Sequence, residues 1–210
     1  MTGTSRTNGD RLRSPHRLRR ALLPVDARQL ARFLIGKTLV HDTLEGRTSG
    51  RIVETEAYIV GDAAGHAFVG KTARNRSLFL KRGFAYVYFS YGMHWCFNVS
   101  AETAHVGAGV LVRALEPLEG IALMQQRRAT ARRLDLARGP GRLAAALAID
   151  RSLDGADLCG AGPLWLGDAM QPVGRIGASV RIGITKEAHR PLRFYERGNP
   201  YVSGTLAMRT

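Results

Sequence analysis

Short apolar runs along the chain predict a series of β-strands. Runs at residues 38–41 and 51–60 are separated by a polar, glycine-containing turn, which favours an antiparallel pair. Further runs at residues 110–115 and 179–185 have the length of strands, and another apolar run follows at 192–195. The pattern therefore predicts one hairpin early in the chain and several later strands.

Helical spacing is confined to a few short stretches. Asp26 is the predicted N-cap of an amphipathic helix that ends at Gly36. A second helix is expected to begin at Pro117, because proline suits the first helical turn, and to end near Arg128. A third is predicted at residues 143–149. Because strands and helices follow one another irregularly, the pattern favours a single mixed α+β domain over a doubly wound sheet.

The strongest hairpin signal is the sequence FAYVYFSYGMHWCFNVS at residues 84–100, with its turn at Tyr91-Gly92-Met93. Seven of the fifteen aromatic residues of the chain lie in this segment, and most of them suit a hydrophobic core. Tyr91 differs, because a large ring at a hairpin tip cannot be buried within its own sheet. Proteins that deform DNA often insert such a wedge between base steps, so Tyr91 is a candidate for that role.

The chain is strongly basic. Its 31 Lys and Arg residues against 17 Asp and Glu residues give a net charge of +14, and the sequence pI is about 10.9. Nucleic acid is the expected partner, since basic proteins bind phosphates with release of counterions; ribosome or membrane-surface association and a bias toward arginine are the alternatives. Residues 1–20 lack apolar periodicity and predict a disordered basic arm before a domain at residues 21–210.

Other functional classes find little support in the sequence. No apolar stretch approaches the roughly 20 residues that span a bilayer, so we expect a cytoplasmic protein without membrane association. Cys96 and Cys159 are too far apart for a disulfide framework or a zinc motif. The six histidines are scattered, and no nucleophilic serine or cysteine motif occurs. We therefore expect a carboxylate-centred reaction with no metal and no cofactor.

Two carboxylates break the usual alternation in the segment GRIVETEAYIV. In a regular strand Glu54 and Glu56 share a face with Ile52 and Tyr58. Arg113 interrupts VLVRAL, a run that otherwise predicts a buried strand, and a charge there needs a partner such as Glu56. That pairing would keep the acid ionised by lowering its pKa, as a water-activating base requires. A purely structural salt bridge is the alternative.

Three rings are candidates for binding a nucleobase. A base taken out of the helix needs flat surfaces on both sides, which Tyr58, Tyr88 and His66 can offer. Each tyrosine is more often a core residue, and His66 lies in a glycine-rich segment at residues 61–82 where an ordinary loop histidine is the alternative. The GPGR stretch at residues 139–142 opens a helix and could favour a phosphate, but a plain helix start explains it equally well.

Motifs from about Leu30 to Ser203 resemble, in the same order, the alkyladenine (3-methyladenine) DNA glycosylases. They are RIVETEAY, the following loop histidine, ARNR, YVYFSYGMHWCFNVS, VRALEPLEG, GPGRL and RPLRFYERGNPYVS. The resemblance implies a single α+β domain with a curved antiparallel sheet, flanking helices and a protruding β-hairpin. It also implies a monomeric, monofunctional enzyme that flips a damaged purine out of duplex DNA and hydrolyses its N-glycosidic bond with water.

The same resemblance assigns the catalytic roles. It implies that Glu56 activates and orients the water, that Arg113 helps to hold it, and that the main-chain carbonyl of Ile182 completes the water site. It assigns nothing to Glu54. That residue is expected either to pair with an arginine at the rim or to leave the pocket face where the strand bends.

For the base pocket, the resemblance implies that Tyr58 forms one wall and that His66 with Tyr88 forms the other. Asn98 matches the asparagine that disfavours normal guanine by crowding its exocyclic amino group. The expected substrates are purines of the 3-methyladenine, 7-methylguanine, hypoxanthine and ethenoadenine class, with an abasic site as the product.

On the side that faces DNA, the resemblance implies that Tyr91 intercalates and that Met93 contacts the minor groove beside it. His94 and Gly183 are expected to contact DNA as well, with His94 standing where some relatives carry a tyrosine. A noncatalytic nucleic-acid-binding module is the alternative function. The pairing of Glu56 with Arg113 beside an aromatic pocket distinguishes the two, because a protein that only binds has no need of it.

Overall fold

A computed structural model describes residues 14–205 of the chain, and these residues form one sheet with helices packed against it. Within this range the α-helices are α1 (Ala27–Leu34), α2 (Ile121–Arg128) and α3 (Pro140–Ala146). The strands are β1 (Thr38–Thr43), β2 (Gly46–Tyr58), β3 (Ala85–Ser90), β4 (His94–Ser100), β5 (Gly109–Glu119), β6 (Leu164–Gly167), β7 (Ile176–Ser179) and β8 (Arg193–Glu196). The predicted α+β class is confirmed.

The sheet is antiparallel and places β2 at its centre. Its main path runs β3-β4-β5-β2-β1-β6, while β8 pairs with both β2 and β7. Strand β2 therefore has three neighbours, β1, β5 and β8, and side chains on its two faces are enclosed. Register shifts between β2 and β5 mark bulges, which bend strands and add curvature to a sheet.

Helix α1 packs on one face of β2 and is anchored at both ends. The Gln29 amide donates to the Asp26 carboxylate over 2.9 Å, which is the N-cap that the sequence predicts. The Thr55 hydroxyl of β2 donates to the Ala31 carbonyl over 2.9 Å. Gly36 follows with a φ of 83°, a conformation that glycine adopts without strain. The side chains on the opposite face of β2 point away from α1.

A bulge in β2 changes which residues share a face. Ile52 lies opposite Leu115 and Glu54 lies opposite Ala114, so Val53 is the extra residue. Ile52 belongs to the main hydrophobic core, whereas Val53 packs in a small separate cluster. The prediction that Ile52 shares the face of the two glutamates is therefore wrong, because regular alternation stops at the bulge.

Hairpin positions are partly as predicted. The β3–β4 hairpin with its turn at residues 91–93 is confirmed. The β1–β2 turn is tighter than expected, since Thr43 pairs directly with Gly46 and most of the polar segment is strand. Thr48 and Ser49 in this segment are buried although they are polar, which the sequence pattern did not indicate.

Three predicted boundaries are wrong. No helix begins at Pro117; β5 continues through it to Glu119, and the proline sits beside a register shift, where its missing N–H is tolerated. The predicted helix at residues 143–149 is α3 and ends at Ala146. The predicted strand at residues 179–185 is displaced, because β7 ends at Ser179 where its pairing with β8 stops.

The described part of the predicted basic arm is ordered. Leu18 is buried, and the Arg17 guanidinium lies 4.4 Å from the ring centre of Trp165 on β6. Residues 1–13 of the predicted arm lie outside the described residues. The cysteines are free thiols, as expected. Within residues 14–205, none of the helices has the length and apolar character needed to cross a bilayer.

Candidate active site

Two fully buried glutamates of β2 share one arginine. Glu54 and Glu56 are each 0% exposed and lie on the side of β2 opposite α1. Arg113 of β5 donates from Nε to Glu54 Oε1 over 3.0 Å, and its Nη1 lies 3.1 Å from Glu56 Oε1. The contact between Arg113 and Glu56 that the sequence predicts is therefore present, but Arg113 serves both acids.

Glu54 is surrounded by donors. Its Oε1 also accepts from Arg193 Nε over 2.7 Å and from the Ser203 hydroxyl over 2.9 Å, while Oε2 accepts from the Ser203 amide over 2.6 Å. Burial by itself raises the pKa of Glu54, but the charges of Arg113 and Arg193 outweigh it and the pKa falls below its ordinary value. Glu54 therefore pairs with arginines in the interior and not at the rim.

Glu56 has fewer partners. The Ile182 amide donates to Oε1 over 2.8 Å, and the Tyr58 hydroxyl donates to Oε2 over 3.1 Å. Burial raises the pKa of Glu56 above its ordinary value, and the neighbouring charge of Glu54 adds to this, despite the opposing effect of Arg113. The lowered pKa predicted from pairing with Arg113 is therefore wrong, because one arginine divided between two acids does not offset complete burial.

A cavity of about 560 Å³ opens beside Glu56. Its wall includes three residues that contact Glu56, namely Tyr58, Arg113 and Ile182. Burial and the charge of Glu56 raise the pKa of Tyr58, so its hydroxyl stays protonated and donates to the acid. The carboxylate thus lies directly behind three residues of the wall of a cavity large enough for a small aromatic ligand.

Further aromatic rings line this cavity. The His66 and Tyr88 rings lie 4.4 Å apart edge to face, and Tyr88 stacks with Tyr86 at 5.4 Å between ring centres. The Tyr86 hydroxyl lies 2.9 Å from His66 Nδ1. Burial, with a contribution from the positive charge of Arg74, lowers the pKa of His66, so the imidazole is neutral at physiological pH. Tyr86 is a supporting residue to which the sequence motifs assigned no role of its own.

Asn98 of β4 also faces the cavity and is held in one orientation. It is buried, and its side-chain amide donates to the Tyr86 carbonyl over 3.2 Å. The loop that carries His66 is fixed by Asn75, whose amide donates to the His66 carbonyl over 2.8 Å. The predicted pocket residues therefore meet at one cavity, although their sequence positions span 40 residues from Tyr58 to Asn98.

The tip of the β3–β4 hairpin presents apolar side chains to solvent. Tyr91 is 84% exposed and Met93 is 73% exposed. The Met93 amide donates to the Ser90 carbonyl over 2.9 Å, which closes a turn whose central residues, Tyr91 and Gly92, have φ values of 49° and 67°. Positive φ is costly for a bulky residue. The turn therefore holds Tyr91 in an unfavourable conformation, with its ring outside the fold and at the cavity mouth.

His94 and Gly183 also line the cavity. A Cβ on Gly141 would lie 2.6 Å from the His94 ring, so the glycine of the GPGR stretch allows α3 to pack closely on β4. Gly183 has a φ of 77°, and a Cβ there would meet no atom within 4 Å. The open space beside Gly183 leaves room for a ligand next to Ile182.

A buried ion pair between Arg181 and Asp62 adjoins the cavity and was missed in the sequence. Both side chains are 0% exposed, and the Arg181 guanidinium lies 4.6 Å from the ring centre of Tyr58. Their 119-residue separation gives no local signal. Arg193, the second partner of Glu54, was likewise hidden within an apolar run. Within residues 14–205, no three His, Cys, Asp or Glu side chains cluster as metal ligands would.

Comparison with known proteins agrees with this geometry. The family model for methylpurine-DNA glycosylase (MPG) matches residues 21–200. A Mesorhizobium japonicum protein is 63% identical over 90% of this chain and 91% of its own length, and a Paraburkholderia phytofirmans protein is 53% identical over 87% and 85%. A Methanoculleus marisnigri protein is 48% identical over 85% and 94%. All three bear the name "Putative 3-methyladenine DNA glycosylase". The chain therefore belongs to the methylpurine-DNA glycosylase family.

Proposed function

We propose that this protein flips damaged purines out of duplex DNA and hydrolyses their N-glycosidic bond with a water that Glu56 activates. The observation that carries the proposal is a buried Glu56 carboxylate in contact with three residues of the wall of an aromatic cavity, Tyr58, Arg113 and Ile182. The names of the relatives point to 3-methyladenine as a substrate. We extend the substrates to 7-methylguanine, hypoxanthine and ethenoadenine, and propose that the protein acts as a monomer.

The water is expected to bind Oε2 of Glu56. Oε1 faces both the Ile182 amide and Arg113, whereas the hydrogen bonds within residues 14–205 give Oε2 only the Tyr58 hydroxyl as donor. A carboxylate oxygen can accept two hydrogen bonds, so Oε2 has capacity for the water. A raised pKa makes the Glu56 carboxylate a stronger base once ionised. The Ile182 carbonyl, as a second acceptor for the water, stays part of the proposal.

For a cationic lesion the proposed chemistry needs only one ionised carboxylate, whereas a neutral lesion such as hypoxanthine must also gain a proton as it leaves. Cleavage of a glycosidic bond builds positive charge on the sugar, and the negative charge of Glu56 stabilises that positive charge. The same carboxylate accepts a proton from the attacking water. A purine alkylated at N3 or N7 is already cationic and leaves as a neutral base. The purine nitrogen takes the bonding electron pair, the water oxygen bonds to C1′ of the sugar, and an abasic site remains.

The rings and the hairpin suit a flipped base. Tyr58 on one side and Tyr88 with His66 on the other provide flat surfaces for a purine, and a neutral His66 does not repel a cationic lesion. We propose that Asn98 selects against the exocyclic amino group of guanine. Tyr91, exposed at the cavity mouth, is the residue we propose to fill the gap that the flipped nucleotide leaves.

The test is an abasic-site assay. The protein is incubated with duplexes that carry hypoxanthine, ethenoadenine or 3-methyladenine, with an undamaged duplex as control, and alkali then cleaves any abasic site. We expect strand breaks only after alkali and only in damaged duplexes. The Glu56→Gln variant should bind the same duplexes but lose product by about 10²- to 10⁴-fold, the usual contribution of a general base.

Two further measurements separate this function from its alternatives. Breaks without alkali that disappear with EDTA would indicate a metal-dependent nuclease. Binding of all duplexes without product formation would indicate a noncatalytic module, and full activity in Glu56→Gln would remove Glu56 from the mechanism.

Tyr91→Ala should mainly weaken capture of the flipped base; kinetics equal to those of the wild type would remove its role as a wedge.

A further inference from the structure

The ion pair between Arg181 and Asp62 contacts the candidate active site from behind. Arg181 donates from Nη1 to Asp62 Oδ2 and from Nη2 to Oδ1, the latter over 3.1 Å. Neither residue lines the cavity. Desolvating both charges is costly, and a buried pair is weak support for stability by itself. A pair in this position therefore calls for a role besides stability.

Arg181 fixes the end of β2 that carries the proposed catalytic and stacking residues. Its Nη1 also donates to the Ala57 carbonyl over 3.1 Å, and Ala57 stands between Glu56 and Tyr58 in the chain. Its guanidinium covers one face of the Tyr58 ring at 4.6 Å from the ring centre, a favourable arrangement for a cation and an aromatic ring. Because Arg181 is buried behind the cavity wall, it restrains the ring without occupying the cavity.

The backbone of the same residue leads directly to Glu56. Ile182 follows Arg181, and its amide donates to Glu56 Oε1 over 2.8 Å. Residues 180–185 belong to no strand, so sheet hydrogen bonds do not place this amide. The side chain of Arg181 instead connects that loop to Ala57 of β2 and to Asp62 in the segment that follows β2.

We propose that Arg181, fixed by Asp62, is a positioning residue that holds the Tyr58 ring and, through the Ile182 amide, the Glu56 carboxylate. This inference rests on the proposed roles of Glu56 and Tyr58. Arginine suits the position because its planar group donates several hydrogen bonds at fixed angles while stacking on a ring, which a lysine ammonium does not reproduce.

The chain offers a matched control for the experiment. Arg51 lies on β2 and, like Arg181, is buried. It donates from both Nη atoms to the carboxylate of Glu196, and its Nη2 lies 2.6 Å from Oε1. Neither Arg51 nor Glu196 lines the cavity. Removing either arginine leaves a buried carboxylate without its partner, so both changes should lower stability. Only the change at Arg181 should lower the rate of cleavage.

The test compares Arg181→Met with Arg51→Met, using single-turnover cleavage of a hypoxanthine duplex and urea unfolding. We expect both variants to lose stability, and only Arg181→Met to lose about 10- to 100-fold in the single-turnover rate constant, as small displacements of catalytic groups do. The dissociation constant for an undamaged duplex should change in neither. Arg181→Lys should recover stability more than rate, because it keeps the charge but not the planar contacts.

The pH dependence of the rate gives a signature that lost stability does not produce. The groups that face Glu56 are Arg113 from β5, Glu54 and Tyr58 from β2, and the Ile182 amide from the loop; Arg193 of β8 reaches Glu54. Of these, Arg181→Met disturbs the Ile182 amide and the Tyr58 hydroxyl, which both stabilise the ionised acid. The acid limb of the rate should therefore move to higher pH in Arg181→Met and stay in place in Arg51→Met.

Should Arg181→Met fail to fold, Asp62→Asn and its control Glu196→Gln test the same inference, since each keeps a hydrogen-bond acceptor for its arginine. Asp62→Asn is expected to slow cleavage and move the acid limb in the same direction, with less effect than Arg181→Met. A wild-type rate and acid limb in a folded variant at Arg181 or Asp62, or equal slowing by the controls, would overturn the inference. Absence of product from the wild-type protein would instead overturn the proposed function.

Discussion

Glu54 and Glu56 stand two residues apart on one strand, are equally buried and share Arg113, yet their surroundings differ in donors. Glu54 accepts hydrogen bonds from Arg193 and from both the amide and the hydroxyl of Ser203. With Arg113, these donors place two arginines and Ser203 around its carboxylate. Its lowered pKa keeps it ionised and makes it part of the structural framework.

Glu56 has the amide of Ile182 and the hydroxyl of Tyr58 in place of a second arginine. It therefore bears a negative charge that the protein compensates incompletely, and its pKa is raised. Carboxylates at functional sites commonly have raised pKa values of this kind. Burial alone therefore does not distinguish a structural acid from a reactive one. The number of charged donors around the carboxylate distinguishes them.

The largest expected effect is on the stability of Glu54 variants. Glu54→Gln leaves the buried guanidinium of Arg193 without its carboxylate, which should lower the free energy of unfolding by about 3–5 kcal/mol. Glu56→Gln removes an acid that is unfavourable in its ionised form, so its stability at neutral pH should equal or exceed that of the wild type. Urea unfolding of both variants checks this, and equal losses would contradict the comparison.

The two acids should also give opposite pH dependences of stability. The lowered pKa of Glu54 contributes stability above the ordinary value of 4.5 that is lost as the pH falls through the folded-state pKa. The raised pKa of Glu56 has the reverse effect, since the folded state binds the proton more tightly between pH 4.5 and its own higher pKa.

Wild-type stability should therefore decline relative to Glu56→Gln as the pH rises through the pKa of Glu56. The decline should reach about 1.4 kcal/mol for every tenfold difference in the proton affinity of Glu56 between the folded and unfolded chain. Unfolding measured from pH 4 to pH 8 in both proteins tests this. A constant difference between them across that range would show that Glu56 has no raised pKa.

The rate of cleavage should follow the ionisation of Glu56 and not that of Glu54. We expect the single-turnover rate constant to fall on acidification with a midpoint above 4.5, because Glu56 must be ionised to take a proton from water. A cationic 7-methylguanine substrate is suited to the measurement, since it needs no protonation before leaving. A midpoint below 4.5 would assign the limb to another group.

The smallest expected effects come from single neutral donors. Tyr58→Phe removes one hydrogen bond from Glu56 and Ser203→Ala removes one from Glu54, each with an effect of about 1 kcal/mol. Tyr58→Phe should raise the midpoint of the acid limb, whereas Ser203→Ala should lower stability and leave the midpoint unchanged. If Ser203→Ala moved the midpoint and Tyr58→Phe did not, the two acids would have exchanged roles.

Several elements could be predicted from the sequence because their causes are local. The Asp26 cap and the hairpin around Tyr91 each depend on residues within one turn or one hairpin. The bulge at Val53 and the end of β7 at Ser179 could not be predicted, because both depend on pairing with strands far along the chain. The helix predicted to begin at Pro117 was wrong for the same reason, since this proline fits β5 only beside a register shift in β2.

The basic charge, the aromatic hairpin and the two acids beside an arginine-containing strand could be recognised from the sequence alone. Its motifs also indicated the family. Only the tertiary structure decided how the acids differ, because Arg193 and Ser203 reach Glu54 from 139 and 149 residues away, and Ile182 reaches Glu56 from 126 residues away. Electrostatic interactions depend on distance in space, so the pKa of each glutamate was set by chain segments that no local pattern connects to it.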